Sequence, residues 1–164
     1  MTIAIAGFTS IYYFIQLVRR ILITGLIAGA LDIAAALINA FIANGTKPAR
    51  VFQFIASGLF GQEAFASDVM VLWGFLFHFC IALSWTAVYF ILYPKIRPIA
   101  TRPAVAGVCF GIFVWVAMNY LILPLTLVPK FPFDFFRAMT GASILIIAVG
   151  IPVAWSAHKY YSPR

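Results

Sequence analysis

Four long apolar stretches constrain this chain more than any other feature. They cover residues 21–43, 70–93, 104–127 and 138–157. A helix needs about 20 apolar residues to cross the roughly 30 Å hydrocarbon core of a bilayer, and each stretch is that long. The segments between them, NGTKP, PKIRP and PKFPFD, carry prolines, a glycine and charges, which end helices and start turns. The sequence therefore predicts an all-α polytopic integral membrane protein with four transmembrane helices.

Composition agrees with a membrane protein and indicates a single domain. Only 9% of the 164 residues are charged and 65% are hydrophobic, whereas a soluble domain has about 25% charged residues. No polar linker divides the chain, so residues 1–164 are taken as one membrane domain. The net charge is +7, but the basic residues cluster at the ends of apolar stretches and not on one face. We therefore expect the lipid bilayer as partner and no nucleic acid.

Two further apolar segments lie outside the four predicted spans. Residues 1–18 contain several polar side chains and no helix breaker before Arg19, so they form either an interfacial helix or a cytoplasmic extension of the first span, with a fifth span as a further alternative. Residues 49–66 place polar and apolar side chains on opposite helical faces. This pattern predicts an interfacial amphipathic helix, or a re-entrant one, between the first and second spans.

The distribution of lysine and arginine predicts the orientation. A cytoplasmic N-terminus places seven basic residues inside (Arg19, Arg20, Lys95, Arg97, Arg102, Lys159 and Arg164) and four outside (Lys47, Arg50, Lys130 and Arg137). Because cytoplasmic loops carry the excess of positive charge, we expect both termini in the cytoplasm.

Asp32 is the one charge inside the first span. Burying it costs about 3 kcal/mol on insertion scales, less than the span's apolar residues contribute. It shares a helical face with small residues, so this face should point into the bundle. At about 1.5 Å of rise per residue, Asp32 lies roughly 16 Å from the outer end of its span, and His78 and Asn119 lie roughly 12 Å deep in theirs. The sequence therefore predicts an intramembrane polar centre of Asp32, His78 and Asn119.

Two interpretations of this centre remain open. It could relay a proton or bind a small polar ligand, because histidine titrates near neutral pH. Alternatively, it could be a set of interhelical hydrogen bonds that fixes the packing, each worth about 0.6 to 2 kcal/mol.

Small residues and prolines in the spans predict how the helices pack. The motifs GLIAG and GVCFG place Gly25 and Gly29 in the first span and Gly107 and Gly111 in the third. We expect close helix approach there, in preference to an inverted-repeat transporter. Pro124 and Pro152 should kink the third and fourth spans.

The chain lacks the motifs of familiar membrane enzymes and cofactor proteins. It contains no HExxH, GxSxG or Walker sequence, and His158, the second histidine, lies past the fourth predicted span. Cys80 and Cys109 stand alone in apolar segments, so we expect buried thiols and no metal. We accordingly expect neither an enzyme nor a bound cofactor.

Part of the chain resembles a known family. The run LWGFLFHFCIALSWTAVYFILYPKIRP at 72–98, the run AVAGVCFGIFVWVAMNYLILPLTLVP at 104–129 and the opening LIAGALD are similar to uncharacterised bacterial inner-membrane proteins of the YagU type. The matched residues are His78, Tyr89, Pro94, Lys95, Ile96, Gly107, Pro124 and Leu125. The resemblance covers about two thirds of the chain and implies a bacterial inner-membrane location and an association with acid tolerance, without an activity.

The sequence leaves two functional hypotheses. The first is a structural or accessory subunit that packs through its Gly/Ala faces in a homo-oligomer or a larger membrane complex. The second is a proton-coupled or small-solute permease that uses Asp32 and His78.

Overall fold

The protein is an all-α bundle. The computed structural model describes the backbone of residues 2–98, 100, 102–130 and 132–162 and the side chains from residue 11 onward within these ranges. Met1 of the apolar segment 1–18 and Arg164 of the charge count lie outside the described residues. Four helical segments are long and apolar enough to cross a membrane: Ile11–Asn44, Val69–Ile96, Pro103–Leu125 and Phe135–Tyr161. This confirms the predicted all-α membrane fold with four spans.

The helices follow in simple order along the chain. Helix α1 is Thr2–Asn44, α2 is Pro48–Phe60 and is followed by a 3₁₀ turn at Gly61–Phe65, and α3 is Val69–Ile96. The third span consists of α4, Pro103–Val116, a π-helical segment at Ala117–Ile122 and a 3₁₀ turn at Leu123–Leu125. The fourth consists of α5, Phe135–Leu145, a π-helical segment at Ile146–Gly150 and α6, Ile151–Tyr161.

Helix α1 is much longer than the predicted first span. It runs for 43 residues without a break at Arg19 and Arg20, a length of about 65 Å. Of the open alternatives for the N-terminal segment, the helix therefore shows a continuation of the first span in place of a separate interfacial helix. Helix α1 ends at Gly45, whose φ of 63° is a conformation that glycine adopts without strain.

Helix α2 occupies the predicted amphipathic segment and crosses α3. Its buried residues are Gln53, Ala56 and Ser57. At the crossing, a Cβ atom on Gly74 would collide with the carbonyl oxygen of Phe52, so only glycine permits this contact. The Leu127 amide donates a hydrogen bond to the Gly58 carbonyl over 3.0 Å. These contacts fix α2 over the end of the bundle that is remote from the termini.

The hydrophobic core lies toward the end of the bundle that holds both termini. Tyr89, Phe90 and Tyr93 of α3 meet side chains of α4 and of the fourth span, including Phe110, Val114, Val149, Val153, Ala154 and Ala157. The rings of Tyr89 and Phe110 lie 4.5 Å apart between centroids. The hydroxyl of Tyr160 donates to the Tyr13 carbonyl over 3.3 Å, which brings the end of the fourth span beside the N-terminal part of α1.

The third and fourth spans approach most closely at their glycines. A Cβ on Gly107 would lie 2.7 Å from the Ile151 Cα, and one on Gly111 would lie 2.5 Å from the Ile146 Cα. A Cβ on Gly150 would collide with the Gly107 carbonyl oxygen. The structure therefore places backbone against backbone here, and dispersion contacts and close packing hold the pair together.

Both predicted kink prolines directly follow irregular helical turns. Pro152 is the second residue of α6 and follows the π-helical segment that ends at Gly150, and Pro124 lies in the 3₁₀ turn after the π-helical segment that ends at Ile122. A proline lacks the amide hydrogen and its ring collides with the carbonyl four residues earlier. Wider π turns just before the proline give that ring room.

The Gly107–Gly150 contact gives a first prediction. Gly150→Ala should lower the free energy of unfolding by about 1 to 3 kcal/mol, because the methyl group meets backbone that cannot rotate away. Gly58→Ala is the matched control: its Cβ would lie 3.8 Å from Thr126 and alanine favours helix, so stability should stay equal or rise slightly. Unfolding in detergent by SDS titration measures both variants; equal losses would contradict the backbone contact.

Candidate functional site

The crossing of α1 and α3 positions the polar centre. A Cβ on Gly29 would lie 3.0 Å from the Ala82 Cβ, and one on Gly25 would lie 2.7 Å from the Leu83 Cδ2. Because neither glycine has a side chain, the α1 backbone is open to α3. His78, which is 9% exposed, uses this opening: its Nε2 lies 2.8 Å from the Gly29 carbonyl oxygen. A carbonyl only accepts, so Nε2–H is the donor and the neutral ring carries its proton there.

Asp32 lies one helical turn beyond Gly29 and interacts electrostatically with His78. The side chain is partly buried. Within the described part of the chain, no donor forms a hydrogen bond to its carboxylate. The carboxylate therefore has His78 as a charge neighbour but leaves its hydrogen-bonding capacity unused, unlike most buried carboxylates.

Asn119 takes a different position from the other two residues. It lies in the π-helical segment of the third span, is exposed, and donates from Nδ2 to the Trp115 carbonyl over 2.8 Å. The structure brings Asp32 and His78 together and gives Asn119 a partner in its own helix. The sequence groups the three residues by their depth along the helices. Depth does not define the rotation of each helix about its axis, so it does not determine which side chains face one another.

A second polar cluster lies at the end of the bundle that holds the termini. The hydroxyl of Tyr93 lies 2.9 Å from His158 Nδ1, and the rings of Tyr93 and Tyr161 stack at 5.3 Å. His158 has no role predicted from the sequence because it lies past the fourth predicted span. The signal that could have identified this cluster is the shared depth of Tyr93 and His158 near the ends of antiparallel spans.

Tyr161 compensates for a proline inside α3. Pro94 lies within the helix and has no amide hydrogen for the Phe90 carbonyl four residues earlier. The Tyr161 hydroxyl donates to that carbonyl over 3.0 Å. The predicted break at 94–98 therefore begins later than expected: α3 continues through Pro94 to Ile96 because α6 supplies the missing hydrogen bond.

Other polar groups of the spans include a hydroxyl pair, an unpaired tyrosine hydroxyl and two thiols. Thr24 and Ser156 share a hydrogen bond of 2.6 Å between α1 and α6. The Tyr89 hydroxyl is buried without a hydrogen-bond partner among the described residues. Cys80 and Cys109 are free and exposed, so the expectation that both are buried is wrong. Lipid surrounds the outer face of a transmembrane helix, so a cysteine in an apolar span can face lipid and does not have to be buried in the protein.

The site offers hydrogen-bonding groups, a carboxylate at Asp32 and an imidazole at His78. In the residues that the structure describes, no group of three or more His, Cys, Asp or Glu side chains could hold a metal ion. Asp32 and His78 are neighbouring polar groups at the crossing of α1 and α3. The carboxylate can accept hydrogen bonds from another molecule.

The Pro94–Tyr161 contact gives a second prediction. Tyr161→Phe keeps the stacked ring but leaves the Phe90 carbonyl unpaired, so the free energy of unfolding should fall by about 1 kcal/mol. In a Pro94→Ala background the restored amide donates to that carbonyl, and the same change should cost much less. A double-mutant cycle of unfolding free energies measures this coupling. Tyr160→Phe is the control, and coupling of equal size to residue 94 would contradict the assignment.

Comparison with known proteins identifies no family for this chain. No protein-family model, curated protein or solved structure matches the chain.

Proposed function

We propose that this protein is a small non-enzymatic subunit of a bacterial inner membrane, with both termini in the cytoplasm, that assembles laterally in a homo-oligomer or a larger membrane complex. The observation that carries the proposal is the Asp32 carboxylate. It lies within the first span, is only partly buried, and accepts no hydrogen bond from the described residues.

Such a carboxylate favours a partner on energetic grounds. An acidic side chain near the middle of a helix in hydrocarbon costs about 3 kcal/mol on insertion scales. The interaction with His78 offsets part of this cost. A donor from a neighbouring protein would use the free carboxylate oxygens and offset more, since polar groups in membranes commonly bond across helices.

The surface around Asp32 suits close contact with another helix. Asn39 lies seven residues further, on the same helical face, and is exposed. Ala35 and Ala36, both partly buried, lie between the two polar residues. Small residues let helix backbones approach closely, and an amide adds a donor and an acceptor. The face therefore combines the two features that drive helix association in lipid.

The proposed location rests on charge and on the resemblance. Among the described residues, six basic side chains lie at the end with the termini and four at the other, which supports a cytoplasmic position for both termini. The similarity to YagU-type proteins supports a bacterial inner membrane.

The pairing of Asp32 with His78 favours a second candidate, a proton-coupled or small-solute permease. The two titratable side chains interact electrostatically, and His78 already donates to the Gly29 carbonyl. In this role Asp32 would exchange a proton with His78 or with a bound solute. The two candidates differ in whether residue 32 must be ionisable. A permease needs a side chain that can take up and release a proton there, whereas an assembly contact needs only a polar side chain.

Cysteine cross-linking in membranes tests the proposal. In a Cys80→Ser, Cys109→Ser background, Ala35→Cys places a thiol one turn from Asp32, and the exposed Ile112→Cys on α4 is the control. We expect cross-linked products from Ala35→Cys and far fewer from Ile112→Cys. Asp32→Leu should reduce them several-fold, and Asp32→Asn should retain them because the amide still hydrogen-bonds.

Two results would overturn lateral assembly. The first is equal cross-linking at both positions, and the second is a monomer in native gels of gently solubilised membranes. If Asp32→Asn leaves cross-linking intact but abolishes a pH-gradient-driven flux in liposomes, the protein assembles laterally and works as the permease of the second candidate.

A further inference from the structure

We infer that the outward surface of α1 near Arg19 binds an anionic phospholipid. Gln16, Arg19 and Arg20 would hold the headgroup phosphate, and neighbouring apolar side chains would hold the acyl chains. We call this the Arg19 surface; it comprises Phe14, Ile15, Gln16, Val18, Arg19, Arg20, Leu22 and Ile23. It lies on a different part of α1 from Asp32 and does not depend on the function proposed above.

The Arg19 surface points away from the bundle. Leu17 and Ile21 pack against the hydrophobic core from the other side of the helix. Arg19 and Arg20 are exposed, and Leu22 is 47% exposed. Both guanidinium groups and the adjoining apolar side chains are therefore open to lipid.

Arg19 and Arg20 lie at the height along the bundle where we expect lipid headgroups. Thr24 on α1 bonds Ser156 on α6, and Tyr160 near the end of α6 bonds the Tyr13 carbonyl. Arg19 and Arg20 lie between these two contacts, about 6 to 8 Å from Thr24 along the helix. Since Ser156 is five residues from the end of α6, the arginines lie close to where the fourth span ends.

Charge at this end of the bundle is one-sided. Lys95, Arg97, Arg102 and Lys159 lie here as well and are exposed. The four acidic residues of the chain lie elsewhere, within the first span or toward the other end: Asp32, Glu63, Asp68 and Asp134. In the described part of the chain, neither Arg19 nor Arg20 has an ion-pair or hydrogen-bond partner for its side chain. An anion from outside the protein would complement this charge.

The shape of the surface matches the two parts of a phospholipid. An apolar groove of about 500 Å³ runs along Phe14, Ile15, Val18, Leu22 and Ile23, with Arg19 at its side. A second hollow of about 240 Å³, lined by Gln16, Arg19, Arg20 and Ile23, adjoins it. The two share Arg19 and Ile23, so one molecule can occupy both with its phosphate in the polar hollow.

Arginine chemistry favours a phosphodiester in that hollow. The guanidinium group donates two parallel hydrogen bonds to phosphate oxygens, and two neighbouring arginines can share one phosphate. A zwitterionic lipid carries a cation beside the phosphate, and the surrounding basic residues would repel that cation. The charge arrangement therefore selects an anionic lipid such as phosphatidylglycerol.

Native mass spectrometry of the purified full-length protein tests this inference. Dioleoylphosphatidylglycerol and dioleoylphosphatidylcholine are titrated separately, and the dissociation constants are compared. We expect wild type to bind phosphatidylglycerol more tightly than phosphatidylcholine. In Arg19→Gln/Arg20→Gln, the ratio of the two dissociation constants should fall roughly 10-fold. Lys95→Gln/Arg97→Gln, with the same charge change at the same end, should retain it. An excess of inorganic phosphate should not displace the lipid, because phosphate lacks the acyl chains.

Three results would overturn the inference. Wild type without a preference would show that no selective site exists. Equal losses in both double variants would show that only the net charge attracts the lipid. Displacement by inorganic phosphate would identify a free anion as the ligand.

Discussion

Backbone hydrogen bonding in hydrocarbon is the constraint on which this structure depends. With no water in the bilayer core, each peptide group must find its partner within the protein, and helices provide those partners within one segment. The prolines inside the spans show how the protein meets this requirement. Pro94 leaves the Phe90 carbonyl without a donor, and Tyr161 supplies one from another span. The irregular turns before Pro124 and Pro152 are a second response to the same requirement.

Close helix contact follows from the absence of a hydrophobic force between helices in lipid. Gly25 and Gly29 bring α1 onto α3, and Gly107 and Gly150 bring the third span onto the fourth. The same crossing that packs α1 against α3 opens the Gly29 carbonyl to His78. A side chain at residue 29 would press against Ala82 and Phe79 of α3, so the glycine that permits the close crossing also carries the carbonyl that His78 contacts.

Polar groups in the spans divide into satisfied and unsatisfied ones. Thr24 with Ser156 and Tyr93 with His158 form pairs between helices. Asp32 at mid-span and the two arginines of the Arg19 surface have no such hydrogen-bonded partners among the described residues. The paired groups connect the helices, and the Asp32 carboxylate and the two guanidinium groups are the positions where we propose that a protein helix and an anionic lipid bind.

The sequence by itself determined the fold class, the number of spans and the helix between the first two, because apolar length and amphipathic pattern are local properties of the chain. It also identified four glycines of the helix crossings, Gly25, Gly29, Gly107 and Gly111, and placed Asp32 and His78 at similar depths. Only the tertiary structure decided that His78 bonds Gly29, that Asn119 bonds its own helix, and that Tyr161 completes the hydrogen bonding of α3. Composition and spacing give depth along a helix, whereas the rotation and tilt of each helix depend on all its neighbours at once.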